Sequence, residues 1–306
     1  MKRALDVLLS GITTLIVISL LTFFLMKLVP GGPFDTGKAV PPEVLESLNR
    51  KFRLDLPWHE QYYAYMRDLV VHGDMGPSIK YIGMSVNEIV AESLPVSLEL
   101  GTYALLISLT GGIFLGFLAA LKKGTYLDLS AMMIAVSGVS LPSFLVAAIA
   151  ILIFSQHLGW LPSAFWDEPV NKILPSIVLG LRPMAIIARL TRSSVLEVLN
   201  MDYVRTARAK GLSDLKVNAL HVFKNSLIPV VTVIGPLAAT ILTGSFVIEF
   251  VFSVPGLGYH FIKAVTDRDF PLVMGVTMIY ALFLVVSNTL VDWLYPFIDP
   301  RMKGSK

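Results

Sequence analysis

The residues best able to do chemistry in this 306-residue chain do not gather into a catalytic set. Residues 32–39, Gly-Pro-Phe-Asp-Thr-Gly-Lys-Ala, imitate the phosphate-cradling loop GxxxxGK[ST] but lack the closing hydroxyl that would hold magnesium. They also follow an apolar run instead of a buried strand, so the match reads as chance. His59, His72, His157, His221 and His260 show no HExxH or other ligand spacing. No GxSxG occurs, and the absence of cysteine excludes thiolate metal sites, disulfides and thiol nucleophiles. What stands out instead is single charges inside apolar sequence, each costly in lipid and in need of a reason. Arg182, beside Pro183, either lines a path through a membrane or snorkels and pairs structurally. Lys27 reads as a snorkelling anchor, and Asp292 as structural.

Those charges sit in a chain that is 55% hydrophobic and 15% charged, with mean hydropathy +0.70. A soluble domain carries about 25% charged residues. Six apolar segments reach spanning length, near 8–28, 96–121, 131–154, 173–190, 227–252 and 272–298. The first is long for a signal peptide and is followed by Pro-Gly-Gly-Pro instead of a cleavage site, so a retained span is expected. The expectation is an all-α integral membrane protein of six transmembrane helices. Its divisions are an N-terminal span (1–29), an extracytoplasmic subdomain (30–95), a five-helix core (96–298) and a tail (299–306).

Lys and Arg in short connections orient such a chain. Lys2, Arg3, Lys122, Lys123, Arg189, Arg192, Arg205, Arg208, Lys210, Lys216, Lys224, Arg301, Lys303 and Lys306 fall on one side, against Lys172, Lys263 and Arg268 on the other. Both termini are therefore expected in the cytoplasm. The connection 30–95 is too long for the rule to constrain. Pro41-Pro42-Glu43 begins one expected helix through Leu48, and 61–71 forms another. Trp160 and Trp166 suit an interfacial position in the outer connection 155–171.

Pro142 and Pro236 should bend spans three and five by freeing backbone carbonyls. Ser137, Ser140, Ser143, Thr240 and Thr243 give polar faces beside them, so Arg182, Ser140, Ser143, Thr240 and Thr243 are the candidates for a substrate path. Gly111, Gly112 and Gly116 form a small-residue surface suited to helix packing.

The connection 189–224 is far longer than the roughly two to eight residues that join neighbouring helices. Its apolar residues recur at helical spacing: Val195, Leu196, Val198 and Leu199, then Tyr203, Val204 and Ala207, then Leu212, Leu215 and Val217. Short amphipathic helices are expected, with Asp202 and Ser213 as N-caps and Gly211 closing a helix. Composition leaves two uses open: a polybasic surface for anionic lipid, or a rigid docking element. For the second, Ala207 and Ala209 allow close approach, Arg205, Arg208 and Lys210 fix register, and Gly211 permits a sharp exit.

Arg205-Thr206-Ala207-Arg208-Ala209-Lys210-Gly211-Leu212 resembles the "EAA loop" of binding-protein-dependent ABC importer permeases, in the version of the dipeptide, oligopeptide and nickel branch. Residues 188–194 and 196–199 match as well. Arg205-Thr206 replaces the general Glu-Ala, and His221 to Asn225 stands where Ile-x-Leu-Pro is usual, with Pro229 late. The likeness continues through 24–33, Ser245-Phe246-Val247-Ile248-Glu249, Ser253-Val254-Pro255-Gly256-Leu257-Gly258, Tyr295 and Asp299-Pro300-Arg301. Gly73-Asp74-Met75-Gly76-Pro77-Ser78 and Lys80-Tyr81 are nearest to the oligopeptide B-type subunit.

The resemblance implies the type I ABC importer permease fold and one half of a heterodimeric pore in a bacterial or archaeal cytoplasmic membrane. It implies a second homologous permease, two cytoplasmic ATPases holding ATP and Mg, and an extracytoplasmic peptide-binding protein. Surrounding lipid is expected, and nucleic acid is not. The coupling loop, about 191–226, would receive the ATPases at Arg205, Thr206, Ala207, Arg208, Ala209, Lys210 and Gly211. Glu249, Gly256 and Gly258 would meet the receptor or partner subunit. No cofactor and no catalysis are expected of the chain itself. Oligopeptides or dipeptides are the implied cargo, with nickel or another small solute as the alternative within the family. An ion-driven secondary transporter is the rival outside it, although neither paired repeats nor a midplane carboxylate relay is evident.

Overall fold

The computed structural model describes residues 2–34, 41–243 and 245–298, and the side chains of 9–34, 41–241 and 245–290. Lys2, Arg3, Gly37, Lys38, Thr243, Asp292, Tyr295 and the tail from Asp299 therefore fall, in whole or by side chain, outside the described residues. Among the described residues the chain is helical, with one isolated bridge between Pro77 and Ser85.

The elements run α1 (Lys2–Leu28), α2 (Pro42–Lys51), α3 (Trp58–Arg67), α4 (Val86–Leu121), α5 (Tyr126–Ser140), α6 (Ser143–Ala150) and α7 (Ile173–Leu199). They continue as α8 (Asp202–Ala209), α9 (Asp214–Val217), α10 (Lys224–Ser226), α11 (Ile228–Thr243), α12 (Phe246–Val251), α13 (Leu257–Asp267) and α14 (Phe270–Ile298). Both helices expected in the connection 30–95 form. Pro42 opens α2 from an extended Pro41, with Glu43 in the first turn and Arg50 and Lys51 in the last, the charge order that a helix dipole favours.

Four helical stretches are long and apolar enough to cross a membrane unbroken: Leu9–Leu28, Val86–Leu121, Pro169–Leu199 and Phe270–Leu290. Two further candidates are bent pairs, Tyr126–Ser140 with Ser143–His157 at 117° and Asp214–Ser226 with Ile228–Ile241 at 46°. The third expected span is thus broken at Leu141-Pro142. Leu141 is extended (φ −88°, ψ 139°) because the following proline ring disfavours helix there. Pro236, by contrast, sits inside α11, and the carbonyl it carries accepts the Thr240 hydroxyl at 2.9 Å. Pro183 is also carried within a continuous helix, buried in α7. That helix runs on to Leu199, well past the end expected from hydropathy, and α4 starts at Val86, before the expected 96.

The chain divides into two compact units. The first comprises Met1–Val96 and Pro255–Val285. Its core holds Met26, Met75, Val86, Ile89, Val90, Leu257, Leu272, Val273 and Val276. Gly275 lets α14 approach closely, since a Cβ there would fall 2.5 Å from Val86 Cγ1. Asp269 organises the polar side. It is fully buried, receives the Ser78 hydroxyl, the Ile79 and Lys80 N–H groups (3.1 Å each), and caps α14 through the Leu272 N–H.

The second unit comprises Ser97–Val254 and Val286–Lys306. Within it α4 lies against α7 through glycines: a Cβ on Gly112 would meet Ile187 and the Met184 carbonyl at 2.8 Å, and Gly111 and Gly116 face Met184 and Ala188 in the same way. Ser108 donates to Gly180 O across that seam at 2.8 Å. Asp128 of α5 takes a two-pronged bond from Arg192 of α7, at 2.6 and 2.8 Å, plus the Gly124 N–H. At Glu99, Lys172 (2.7 Å), Trp166 Nε1 (3.0 Å) and Tyr103 (2.9 Å) converge, which anchors the connection before α7 to α4.

Candidate functional site

The connection expected to do the coupling folds as α8, a glycine turn and α9, all in the second unit. Val204 (0% exposed) and Ala207 (5%) project inward at i, i+3 spacing. They pack with Ala120, Val195, Val198, Val217 and Val222. Arg205, Thr206, Arg208, Ala209, Lys210 and Gly211 are exposed on the other side. Ala207 is thereby part of the chain's own core, while Ala209 is the small residue on the open face.

The ends of α8 show why this peptide stops and turns where it does. Met201, in an extended conformation, is the N-cap, and Asp202 is the first helical residue. This corrects the sequence expectation: Asp202 makes no side-chain cap and instead places its carboxylate beside the positive end of the helix dipole. At the other end Gly211 has φ +80°. The Gly211 N–H bonds to Arg208 O (2.9 Å) and the Leu212 N–H to Ala207 O (3.4 Å), the paired closure of a Schellman motif. Ser213 then occupies the N-cap position of α9 with no side-chain cap bond.

Electrostatics do not hold α8 down. Arg205–Asp202 (3.9 Å) and Arg208–Asp214 (3.3 Å) join side chains that are 46–99% exposed, and exposed pairs of this kind contribute about 0–1 kcal/mol. Tyr203 meets Asn225 at 3.0 Å. Burial of Val204, Ala207 and Val217 positions the element, so its cations are free to serve another surface. Apolar residues accompany them: Leu215 is 81% exposed and Tyr203 and Leu212 are also open, so this part of the periodic pattern turns outward.

Elsewhere, Arg182, Ser140, Ser143 and Thr240 are all exposed on the second unit. Arg182 forms no ion pair among the described residues. Ser140 and Ser143 flank the break between α5 and α6, and nearby Gly138 approaches the backbone of Leu181. The structure does not bring the path candidates into one bonded cluster. Glu249, Gly256 and Gly258 are buried, each within its own unit, and Glu249 accepts the Ser245 hydroxyl at the start of α12. Sequence reasoning missed Asp128, Glu99 and Asp269. Only Asp269 carries a local signal, since Asp-Phe-Pro is the pattern of an N-cap followed by a proline in the first turn.

Chains of two solved ABC transporters share this architecture. The match to an amino acid ABC transporter crystallised with histidines has a TM-score of 0.53 at 17% identity, covering 68% of this chain and 93% of that one. The match to the MetNI methionine ABC transporter in inward-facing form has a TM-score of 0.55 at 15% identity, covering 70% and 97%. These two likenesses show the fold, that of a chain of an ABC transporter. Sequence comparison narrows it. Residues 112–304 match the family model "Binding-protein-dependent transport system inner membrane component" and residues 1–100 match the companion N-terminal model. The chain is 45% identical over 293 residues to the dipeptide transport system permease protein DppB of Bacillus subtilis, covering 96% of this chain and 95% of that protein. It is 41% identical over 297 residues to the oligopeptide transport system permease protein OppB of Salmonella typhimurium, covering 96% and 97%. The chain belongs to the binding-protein-dependent transport system inner membrane components. It is a multi-pass permease subunit and not itself an enzyme.

Proposed function

We propose that the chain forms half of the pore of an importer for dipeptides or oligopeptides, driven by ATPases on separate subunits. The observation that carries this reading is α8 with its glycine turn: a helix pinned from inside by Val204 and Ala207 that offers Arg205, Arg208 and Lys210 outward, with Leu215 of α9 exposed beyond the turn. A rigid, laterally supported element of this kind passes on a displacement without absorbing it. The relatives named for dipeptide and oligopeptide transport, similar along nearly their whole length, support the cargo.

In this reading a second, homologous permease completes the pore, and two ATPases binding ATP and Mg close beneath it. A peptide-binding protein delivers cargo from outside. Both termini and the loop 191–226 face the cytoplasm, and the helices of the subdomain 30–95 face the receptor. Arg182, Ser140, Ser143, Thr240 and Thr243 border the path, where the guanidinium of Arg182, without an ion pair among the described residues, suits a peptide carboxylate. Glu249, Gly256 and Gly258 support the partner-facing segment from within. The test is reconstitution of the complex in proteoliposomes with its receptor. ATP-dependent peptide uptake that falls at least tenfold in Arg205→Glu with Arg208→Glu, with assembly intact, is the expected result. Uptake driven by an ion gradient without ATP, or ATP-driven uptake of nickel and not peptide, would replace the reading.

A further inference from the structure

A cavity of about 200 Å³ opens within the first unit, at the end of α1. Phe23, Met26, Phe270 and Met274 line part of it, and Lys27 and Tyr65 line another part. Lys27 Nζ donates to Gln61 Oε1 at 2.5 Å and lies 5.5 and 5.2 Å from the ring centroids of Phe23 and Phe270. Gln61 is fixed in turn, since its amide donates to Leu54 O (3.2 Å) and Leu56 O (2.7 Å). Among the described residues no carboxylate stands within ion-pair distance of Lys27. An ammonium has three N–H donors, and one is used here.

The second donor is the Tyr65 hydroxyl, which is buried and has no hydrogen-bond partner among the described residues. Burial and the nearby Asp74 carboxylate hold it protonated. The carboxylates of the lining are already engaged: Asp68 by Arg53 and Arg67, and Asp74 by the Gly76 N–H at 2.8 Å. The cavity thus offers a positioned ammonium and an unsatisfied O–H donor beside four apolar side chains. An acceptor-rich anion joined to an apolar chain satisfies both halves. A free inorganic anion would leave the apolar half wet.

We propose that this cavity binds a membrane glycerophospholipid, with its phosphodiester between Lys27 and the Tyr65 hydroxyl and an acyl chain along Phe23, Met26 and Met274. Depth supports the lipid as source. Lys27 is the last residue but one of the candidate span Leu9–Leu28, the level at which headgroup phosphates lie on either face of a bilayer. The site does not depend on the cargo or on the orientation of the chain. A lipid seated here would join the span to the helices of the connection that follows it.

The test uses the assembled complex in nanodiscs containing phosphatidylglycerol with a photoreactive acyl chain, with crosslinks mapped by mass spectrometry. The expected result is a crosslink within 23–27 or 270–274 that drops at least fivefold in Lys27→Gln and in Tyr65→Phe. Tyr65→Phe removes only a hydroxyl that has no partner among the described residues, so the melting temperature of the delipidated complex should not fall, and this variant decides the matter if Lys27→Gln fails to assemble. Crosslinking unchanged in Tyr65→Phe would overturn the proposal. So would displacement of the lipid by millimolar inorganic phosphate, or recovery of a bound peptide in its place.

Discussion

Ser78 and Asp269 lie 191 residues apart and share a buried hydrogen bond. The same carboxylate takes the Ile79 and Lys80 N–H groups and caps α14. One side chain therefore fixes both a loop of the first unit and the start of a membrane-spanning helix. Asp269→Ala would strand several buried donors at once and should cost about 3 kcal/mol or more. Asp269→Asn, which keeps an acceptor oxygen, should cost less. Thermal unfolding of the detergent-solubilised complex orders the two variants.

Val204 and Arg208 lie on opposite sides of α8 and should fail in different ways. Val204→Ala empties a fully buried site and should cost roughly 2 kcal/mol. Arg208→Ala should leave stability within about 0.5 kcal/mol. Measured as ATP hydrolysis against peptide uptake in proteoliposomes, Arg208→Ala should lower uptake per ATP with the fold intact. Equal coupling in wild type and Arg205→Ala/Arg208→Ala would remove these cations from the docking surface.

Arg192→Met leaves the Asp128 carboxylate, 8% exposed, facing α7 without its cation. A charge abandoned in this way costs about 3 kcal/mol or more. Arg192→Met with Asp128→Asn removes both charges and should recover part of the loss. A double-mutant cycle on melting temperature measures the recovery.

His260 stands 3.2 Å from the Tyr81 hydroxyl, with Tyr259 and Lys263 beside it. Burial first, then the Lys263 charge, hold its pKa below the ordinary value of 6.5. A histidine depressed in the folded state contributes stability above its unfolded pKa and loses it as pH falls through the folded value. The complex should therefore lose melting temperature as pH drops from 6.5, and His260→Gln should flatten that slope. An identical slope in the variant would assign the pH response to other groups.

Much of the fold was legible because lipid imposes simple demands. Five of the six expected segments coincide with helix over most of their length, and 131–154 divides at Leu141-Pro142, where the proline had marked a bend. Span ends were less legible. Hydropathy falls at Glu92 and at Arg189, but α4 and α7 continue through both, since backbone hydrogen bonding is indifferent to where the apolar stretch ends. The site divides similarly. Periodicity located α8 and Gly211 announced its exit, but period alone could not say which apolar residues turn inward. Val204 and Val217 pack across the turn, while Leu215, two residues before Val217 on the same short helix, falls on its opposite face. Asp128 and Glu99 were invisible because their partners are 64 and 73 residues away.

The 117° break between α5 and α6 also sets how far each arm can reach. Helix α5 has 15 residues, and α6 with its π-helical extension has 8 and 7. At 1.5 Å per residue each arm reaches about 22 Å, short of a hydrocarbon layer of about 30 Å. Neither arm alone is long enough to cross such a layer. Helix α7, unbroken from Ile173 to Leu199, carries the cation for Asp128. The Asp128–Arg192 pair thus braces the first short arm against a helix that is long enough to cross by itself.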